Sequence, residues 1–319
     1  MKVRAKGLSL VRRIGPVWFA VVVMYLLFGI FSPGMFKGTQ VLNILQVSAF
    51  LGTVTIGQTV ALLAGGIDLS VSGIITLVNI VLAAVMNGQT EQILPAVGLC
   101  LLLCILVGLA NGVLIAIVRV TPLIVTLAMN SVLFGAALVY TGGAPRGSVT
   151  ADFAQIGQGY FLGVPLSTVF WLGLAAIAIG LTRKTIFGRH LYAVGANPRA
   201  AYQMGVPVER VIISTYLLSS LMAGFAGILL TAYINLPSLG IGTQYQLTSV
   251  AAAVVGGTSL TGGLGSVWGS IGGVLFITEL NSFTNMIRVS PGVQFILQGI
   301  IIAASLVLYR VIGAVGQQS

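Results

Sequence analysis

Long apolar stretches, interrupted by short groups of polar, glycine and proline residues, occupy almost the entire chain. A bilayer core of about 30 Å requires about 20 apolar residues per helix, so charged residues and Gly, Pro and Asn breaks mark where one crossing ends and the next begins. This pattern predicts an all-α, polytopic integral membrane protein with about ten transmembrane helices, near residues 16–31, 41–64, 69–86, 95–118, 123–141, 166–182, 211–235, 244–257, 265–285 and 292–311.

The composition supports the same class. Of the 319 residues, 57% are hydrophobic and 6% are charged, and the mean hydropathy is +1.07, whereas soluble domains contain about 25% charged residues. So few charged side chains cannot cover the surface of a soluble protein, and the lipid bilayer is the first partner. We expect residues 1–319 to form a single transmembrane domain, in which the 42 glycines serve helix crossings and breaks.

Basic residues are concentrated in two places. Five precede the first apolar stretch, and five lie between residues 183 and 210. With the amino terminus inside, twelve of the fifteen Lys and Arg residues fall on the cytoplasmic side, and only Lys37, Arg146 and Arg288 fall outside, as the positive-inside rule requires. We therefore predict that both termini are cytoplasmic. Neither segment resembles a nucleic-acid recognition module, so no nucleic-acid partner is expected.

Two distant stretches share one pattern. Residues 60–73 and 250–263 each pass from small apolar residues into a Gly-Gly pair and then into a Ser-bearing turn. The similarity indicates an internal duplication whose relative orientation one sequence does not define. The candidates for cap or gate residues in these turns are Gly65, Gly66, Gly256 and Gly257.

A glycine series follows the second turn. Gly265, Gly269 and Gly273 repeat the G-x-x-x-G spacing, which predicts a close-packing helix face. The alternative is a seam that slides during gating.

The ionisable residues offer no catalytic site. His190 is the only histidine, no P-loop motif is present, and no nucleophile can be paired with a base and an acid. We therefore expect no enzymatic activity and no cofactor or metal bound by this chain. Asp68 is predicted to cap the third helix by accepting hydrogen bonds from first-turn amides, with a gate element as the alternative. Glu279 is the one acid well inside an apolar stretch, and either snorkelling to the interface or function explains it.

Neutral polar residues make up the remaining intramembrane chemistry. Amide and hydroxyl groups can exchange hydrogen bonds with the hydroxyls of a neutral solute such as a sugar, whereas an ionic solute calls for an opposite charge or for helix ends aimed at it. The alternative for each residue is a hydrogen bond between helices. The candidates for the translocation path are Gln58, Asn79, Asn111, Asn130, Gln246 and Asn281.

The most specific segment is the mid-chain loop, about residues 183–210. It is longer than a simple connection needs, and its small residues leave a surface on which a partner can close. Pro198 after Asn197 predicts the start of a helix. The candidate docking residues are Gly188, Ala193, Gly195, Asn197, Ala200, Ala201 and Gly205.

This pattern of glycines, alanines and Asn197 resembles the coupling loop of the ribose/galactose/xylose class of bacterial ABC importer permeases. The stretches GGIDLS at residues 65–70 and VVGGTSLTGGLGS at residues 254–266 are similar to two further hallmarks of that family. The chain departs from the family at Gln246-Leu247-Thr248, where an acidic Glu-Leu-Asp is usual, and at Ser72, where a glycine is usual. Both departures leave open the solute and whether two identical copies form the pore.

The resemblance implies a type II-like importer architecture in the bacterial inner membrane. The chain would be the transport subunit for a neutral, monosaccharide-like solute and would pair with a second permease subunit, identical or homologous. A cytoplasmic ABC ATPase, which holds ATP and Mg²⁺, would dock on residues 188–205, and a periplasmic solute-binding protein would deliver the solute. The alternative is an ion-coupled secondary transporter of small polar solutes with Asp68 and Glu279 as a proton or sodium relay.

Overall fold

The computed structural model describes residues 16–290, 292–294, 296–297 and 299–300, which form an antiparallel helical bundle. The α-helices are α1 (Pro16–Phe31), α2 (Gly38–Leu63), α3 (Val71–Met86), α4 (Ile93–Ala116), α5 (Pro122–Thr141), α6 (Ala151–Gln158), α7 (Leu166–Lys184), α8 (Ile186–Ala196), α9 (Pro198–Gln203), α10 (Val208–Ile234), α11 (Thr243–Val255) and α12 (Val267–Met286). Short 3-10 helices cover Pro33–Phe36 and Thr90–Gln92, and the strands β1 (Tyr160–Phe161) and β2 (Val164–Pro165) form an antiparallel hairpin.

Nine of the ten predicted crossings correspond to helices in the described part of the chain. Five of them, α2, α4, α5, α7 and α10, are long and apolar enough to cross a membrane, and α1 and α3 are shorter apolar helices. The tenth crossing is helical at residues 292–294, 296–297 and 299–300, and its remainder lies outside the described residues, as do Arg310 and the basic segment at residues 2–13.

Two predicted crossings are shorter helices than expected. The helix α11 has 13 residues and therefore spans about 20 Å at 1.5 Å per residue, less than the bilayer core. The helix α3 begins at Val71 rather than at residue 69, because residues 67–70 are not helical. Both irregular segments, residues 64–70 and residues 256–266, lie at the same end of the bundle as α8 and α9. We call this end the loop face and the other end the opposite face.

Close contacts between helix backbones hold the bundle together around α2 and α10. A Cβ atom at Gly57 of α2 would come within 2.8 Å of the Ser219 Cα of α10, and one at Gly112 of α4 within 2.8 Å of the Ile213 Cα. Gly108 is equally close to Leu217. These glycines let helices approach to backbone contact, as predicted for helix crossings in a membrane protein.

The predicted glycine face is confirmed at two of its three positions. Gly269 and Gly273 lie on α12, and a Cβ atom at either would collide with main-chain atoms at the end of α11, those of Gly256 and Ala252. Gly265 lies in the turn before α12 with φ +134°, because α12 begins two residues later.

The sequence pattern missed the short elements on the opposite face. Thr150 caps α6 by accepting a hydrogen bond from the Phe153 amide at 3.2 Å. The hairpin of β1 and β2 follows and leads directly into α7. Eight-residue helices and two-residue strands are too short to leave a periodic pattern in the sequence.

Candidate functional site

The loop between α7 and α10 folds into two short helices, α8 and α9. Thr185 caps α8 by accepting from the Gly188 amide at 3.3 Å. Asn197 caps α9 by accepting from the amides of Arg199 and Ala200 at 3.1 Å each, with Pro198 as the first helical residue. The predicted helix start at Pro198 is therefore confirmed.

The outer side of this helix pair is a shallow groove. Its volume is about 500 Å³, and Ala193, Ala196 and Ala200 form much of its floor. Arg189 and His190 lie among its lining residues and bring basic groups to an otherwise apolar surface. A surface of small side chains with basic neighbours can accept a protruding segment of a partner protein.

Three of the seven predicted docking residues are buried, although one of them, Ala201, still lines the groove. Gly188, Gly195 and Ala201 are buried, whereas Ala193, Asn197, Ala200 and Gly205 are exposed. Only four of the seven are therefore exposed, since α8 packs one helical face into the bundle, and the docking role of the set stays a prediction. Val194 and Leu191 of this face join a small apolar core with Val60 and Leu63 of α2.

The buried face of α8 contacts both irregular segments of the loop face. A Cβ atom at Gly195 would collide with the Leu63 carbonyl oxygen at the end of α2 and come within 2.6 Å of the Gly263 nitrogen. The Gly263 amide in turn donates to that same Leu63 oxygen at 3.0 Å. A Cβ atom at Gly262 would come within 2.6 Å of the Gly195 oxygen and 2.8 Å of the Gly65 Cα. We call the meeting point of these residues the glycine junction.

A tyrosine adds a second link between α8 and the segment before α12. The Tyr192 hydroxyl donates to the Gly265 carbonyl at 2.9 Å. Burial raises the pKa of this phenol, although the Arg183 charge acts to lower it. The hydroxyl therefore stays protonated and remains a donor at neutral pH.

The candidate gate glycines belong to different contacts. Gly65, with φ +84°, lies at the glycine junction, and a Cβ atom at Gly66 would collide with the Tyr216 hydroxyl of α10. Gly256 packs against Gly269 and Ser270 of α12, and Gly257, with φ +89°, has open space around it. The two similar stretches thus each end a helix at the loop face, but Gly65 meets the later pair Gly262-Gly263 rather than Gly256-Gly257.

Three predicted path residues hold the non-helical segment between α2 and α3, and a fourth, Asn130, holds the first turn of α3. The Gln58 amide, in the orientation that satisfies both of its groups, donates to the Asp68 carbonyl at 2.9 Å and accepts from the Asp68 amide at 3.3 Å. Gln246 donates to the Leu69 carbonyl at 3.1 Å. Asn111 donates to the Ser70 hydroxyl at 3.0 Å, and Asn130 accepts from the Gly73 amide at 2.7 Å.

The reason for these bonds is the burial of the segment. Main-chain groups in a buried non-helical segment have no water to bond, so neighbouring helices must supply the partners. Thr126 completes the set by donating to the Ile67 carbonyl at 3.2 Å. Side chains from α2, α4, α5 and α11 therefore fix one short segment that begins at the glycine junction.

Asp68 lies within this segment and does not have the predicted capping role. Ser70 occupies the N-cap position of α3, and the Asp68 carboxylate accepts from the Ser70 amide at 2.9 Å and from its hydroxyl at 2.5 Å. The first-turn Gly73 amide is satisfied by Asn130 instead. Asp68 therefore shapes the entry to α3 from two residues upstream.

Comparison with known proteins identifies the family to which this architecture belongs. Residues 40–306 match the family described as "Branched-chain amino acid transport system / permease component". The chain belongs to this permease family. The permease is also 35% identical over 304 residues, 95% of this chain and 94% of the relative, to the ribose import permease protein of Bacillus subtilis.

Other relatives of this chain are named as permeases for other sugars. The D-allose transport system permease protein of Escherichia coli is 30% identical over 92% of this chain and 91% of its own length. The L-arabinose ABC transporter permease protein of Azospirillum brasilense is 31% identical over 93% of this chain and 87% of its own length. No solved structure matches the permease. These relatives and the apolar helices make the chain a multi-pass inner-membrane transport subunit.

The remaining predicted site residues of the permease lie apart from the segment between α2 and α3. Asn79 of α3 donates to the Thr231 hydroxyl at 3.0 Å and accepts from the Ser238 amide at 2.7 Å on the opposite face. Asn281 is half-buried on α12, and Glu279, two residues earlier, is buried with 6% of its surface exposed. The six predicted path residues therefore do not surround one common space, and their role in the path stays a prediction.

The contacts of α8 offer a mechanical connection between the exposed groove and both non-helical segments. Among the residues that the structure describes, no group of three or more His, Cys, Asp or Glu side chains could hold a metal ion. What the permease brings together is an exposed groove on one side of α8 and two non-helical segments on the other. The glycine pairs in the two non-helical segments are visible in the sequence. Only the fold shows that Gly195 of α8 lies against these segments.

Proposed function

We propose that this permease is the membrane subunit of an ATP-driven importer for a neutral, monosaccharide-like solute. The observation that carries the proposal is the double contact of α8, which has an open groove on one side and packs on both non-helical segments on the other. A movement imposed on the groove is thereby transmitted to the start of α3 and to the segment before α12. The sugar names of the relatives supply the solute class.

The partners follow from this function. The groove of α8 and α9 faces the cytoplasm and receives an ABC ATPase, whose bound ATP and Mg²⁺ provide the energy, while the permease itself has no catalytic role and binds no cofactor. A second permease subunit, identical or homologous, completes the pore, and a periplasmic solute-binding protein delivers the solute to the opposite face. Both termini then lie in the cytoplasm.

In mechanism, closure of the ATPase moves α8 and α9 as one rigid unit. Since Gly195 leaves no space at the glycine junction, α8 cannot shift without displacing the end of α2 and residues 262–263. The segment at residues 67–70 then exchanges its side-chain partners, and the entry to α3 opens or closes. This is a two-state gating scheme in which packed interfaces switch between discrete arrangements.

A branched-chain amino acid is the second candidate solute, because the family description names that class. A zwitterion is bound by charged side chains of both signs or by helix ends aimed at its two charged groups. Among the described residues, the buried charged side chains are Asp68 and Glu279, both acidic. The buried polar residues of this permease therefore favour a neutral solute.

The test is uptake by vesicles that contain the permease, its ATPase and its solute-binding protein. We expect ATP-dependent uptake of a radiolabelled monosaccharide, with ribose, allose and arabinose as the first probes, and no uptake of leucine. Uptake of leucine alone would assign the amino-acid class instead. Uptake of sugar that persists without the ATPase and collapses with an uncoupler would favour ion coupling, for which the relatives give no support.

The docking groove gives a separate prediction. Replacing Ala200 by tryptophan should fill the groove, so that ATPase co-purification and uptake both fall while the permease still inserts and folds, because Ala200 is exposed. Gln89→Trp, an exposed position on the opposite face, is the matched control and should retain the ATPase. Unchanged ATPase binding by Ala200→Trp would show that the groove is not the docking surface.

A further inference from the structure

The turn between β1 and β2 has an unusual residue at its tip. Leu162 and Gly163 form a two-residue loop between the paired residues Phe161 and Val164, and both have positive φ, +50° and +80°. This geometry is that of a type I′ turn, which favours Asn-Gly or Asp-Gly because the left-handed region is unfavourable for other side chains. A leucine is unfavourable in this backbone conformation. A contact made by its side chain must therefore offset the cost.

The hairpin tip, defined here as residues 160–163, is also the most apolar exposed turn of the opposite face. Leu162 is 89% exposed, Tyr160 60% and Phe161 57%. No described residue covers these side chains, and no charged residue occurs between positions 160 and 165. Three consecutive large apolar side chains on a turn mark a surface that is not in contact with bulk water.

The residue Gly157, shortly before the hairpin, lies closer to the middle of the bundle than the outer ends of α1 and α2 do. The Gln46 side chain of α2 donates to the Gly157 carbonyl, just before the hairpin, at 2.9 Å. The helix α2 begins at Gly38, eight residues before Gln46, and thus extends about 12 Å beyond this contact. At that outer level, Ile30 and Phe31 of α1 still expose 72% and 78% of their surfaces. Apolar exposure therefore continues farther out than the Gln46–Gly157 contact, so the hairpin starts at a level where neighbouring helices still expose apolar side chains.

The tip is continuous with a lipid-facing helix. Pro165 of β2 is followed directly by Leu166, the first residue of α7, and α7 is one of the helices long and apolar enough to cross a membrane. Its first turns expose Val169 and Phe170, at 40% and 50%, along a shallow apolar groove of about 360 Å³. The hairpin thus extends the lipid-facing surface of α7 at its outer end.

We propose that the hairpin tip is a membrane anchor that inserts Tyr160, Phe161 and Leu162 into the boundary between lipid headgroups and acyl chains on the opposite face. Aromatic side chains are enriched at this depth because one end of the ring is apolar and the other tolerates water. The anchor fixes α6 and the outer end of α7 while α8, at the other end of α7, moves with the coupling partner. A soluble partner protein is the less favoured occupant, because a protein interface is rimmed by polar residues and this tip has no charged residue.

The experiment places a fluorescent probe at the tip. Leu162→Cys is labelled with bimane in permease reconstituted into nanodiscs, and the native Cys100 and Cys104 stay unlabelled because they are 0% and 1% exposed. We expect strong quenching by lipids with a nitroxide near the headgroup and several-fold weaker quenching by aqueous iodide than at Gln89→Cys, a polar exposed position on the same face. Phe161→Cys should give the same result and guards against a disturbed turn.

Two outcomes would overturn the anchor. Iodide quenching at position 162 equal to that at position 89 would show that the tip is in water. Iodide quenching that disappears when the periplasmic solute-binding protein is added would assign the tip to protein docking instead. The measurement needs no transported solute, so its result is independent of the function proposed above.

Discussion

Replacing Gly195 by alanine should destabilise the permease and abolish ATP-driven uptake, although alanine is the better helix former. The new Cβ atom would collide with the Leu63 carbonyl oxygen and lie 2.6 Å from the Gly263 nitrogen. Main-chain atoms cannot move aside as a flexible side chain can, so α8 must separate from the glycine junction. We expect a loss of about 1–3 kcal/mol in the free energy of unfolding, as for other overpacked sites, together with loss of coupling.

The matched control is Gly180→Ala in α7. Gly180 is also helical, and a Cβ atom there would have open space around it, so this change should be neutral or stabilising by about 0.5–1 kcal/mol. Both variants are compared by thermal unfolding in nanodiscs and by uptake per molecule of inserted permease. Wild-type stability and uptake in Gly195→Ala would show that the glycine junction does not exist in the working transporter.

This result would also separate two roles that sequence reasoning combined. The small residues of the 183–210 loop predict one docking surface, on which both Gly195 and Ala201 are candidates for contact with the ATPase. In the fold, only part of that set is exposed, and Gly195 acts inside the chain. The exposed Ala200 is therefore the proper test of docking, and Gly195 is the test of transmission.

Sequence alone predicts the parts of this fold that a regular pattern encodes. Nine helices follow from apolar length and from breaks such as Asn235, which ends α10 in the left-handed conformation with φ +65°. The start of α9 follows from Asn197 and Pro198. These features are local, because a helix of 20 residues and a cap of four residues leave their signal in neighbouring positions.

The features that sequence could not predict depend on contacts between distant residues. Gln58 and Asn111 were interpreted as possible path residues because polar side chains inside a membrane suggest a solute. In the fold, both side chains bond a non-helical segment, at Asp68 and at Ser70, and their role in the path stays a prediction. A polar side chain in an apolar stretch has the same appearance in sequence whether it faces a solute or an unpaired main chain.

Replacing Gln58 by leucine should therefore cost far more stability than the loss of one path contact. Leucine keeps much of the volume but leaves the Asp68 amide and carbonyl without partners at a site where Gln58 and Asp68 are both 0% exposed. Each unsatisfied buried group costs about 1–3 kcal/mol, so the unfolding free energy should fall by about 2–6 kcal/mol. Thermal unfolding in nanodiscs measures this loss, and Gln58→Glu should recover only the bond to the Asp68 amide.

Gln246→Leu is the matched control for that variant. Gln246 is half-buried and holds a single carbonyl, that of Leu69 at 3.1 Å, so its loss should cost about 1 kcal/mol. If these two residues lined the solute path, their replacement by leucine would raise the KM for solute uptake and change the stability of either variant little. Equal unfolding temperatures for Gln58→Leu and wild type, together with a changed KM, would show that Gln58 acts in the solute path. A large drop for Gln58→Leu alone would establish that this amide holds the segment through which α3 is gated.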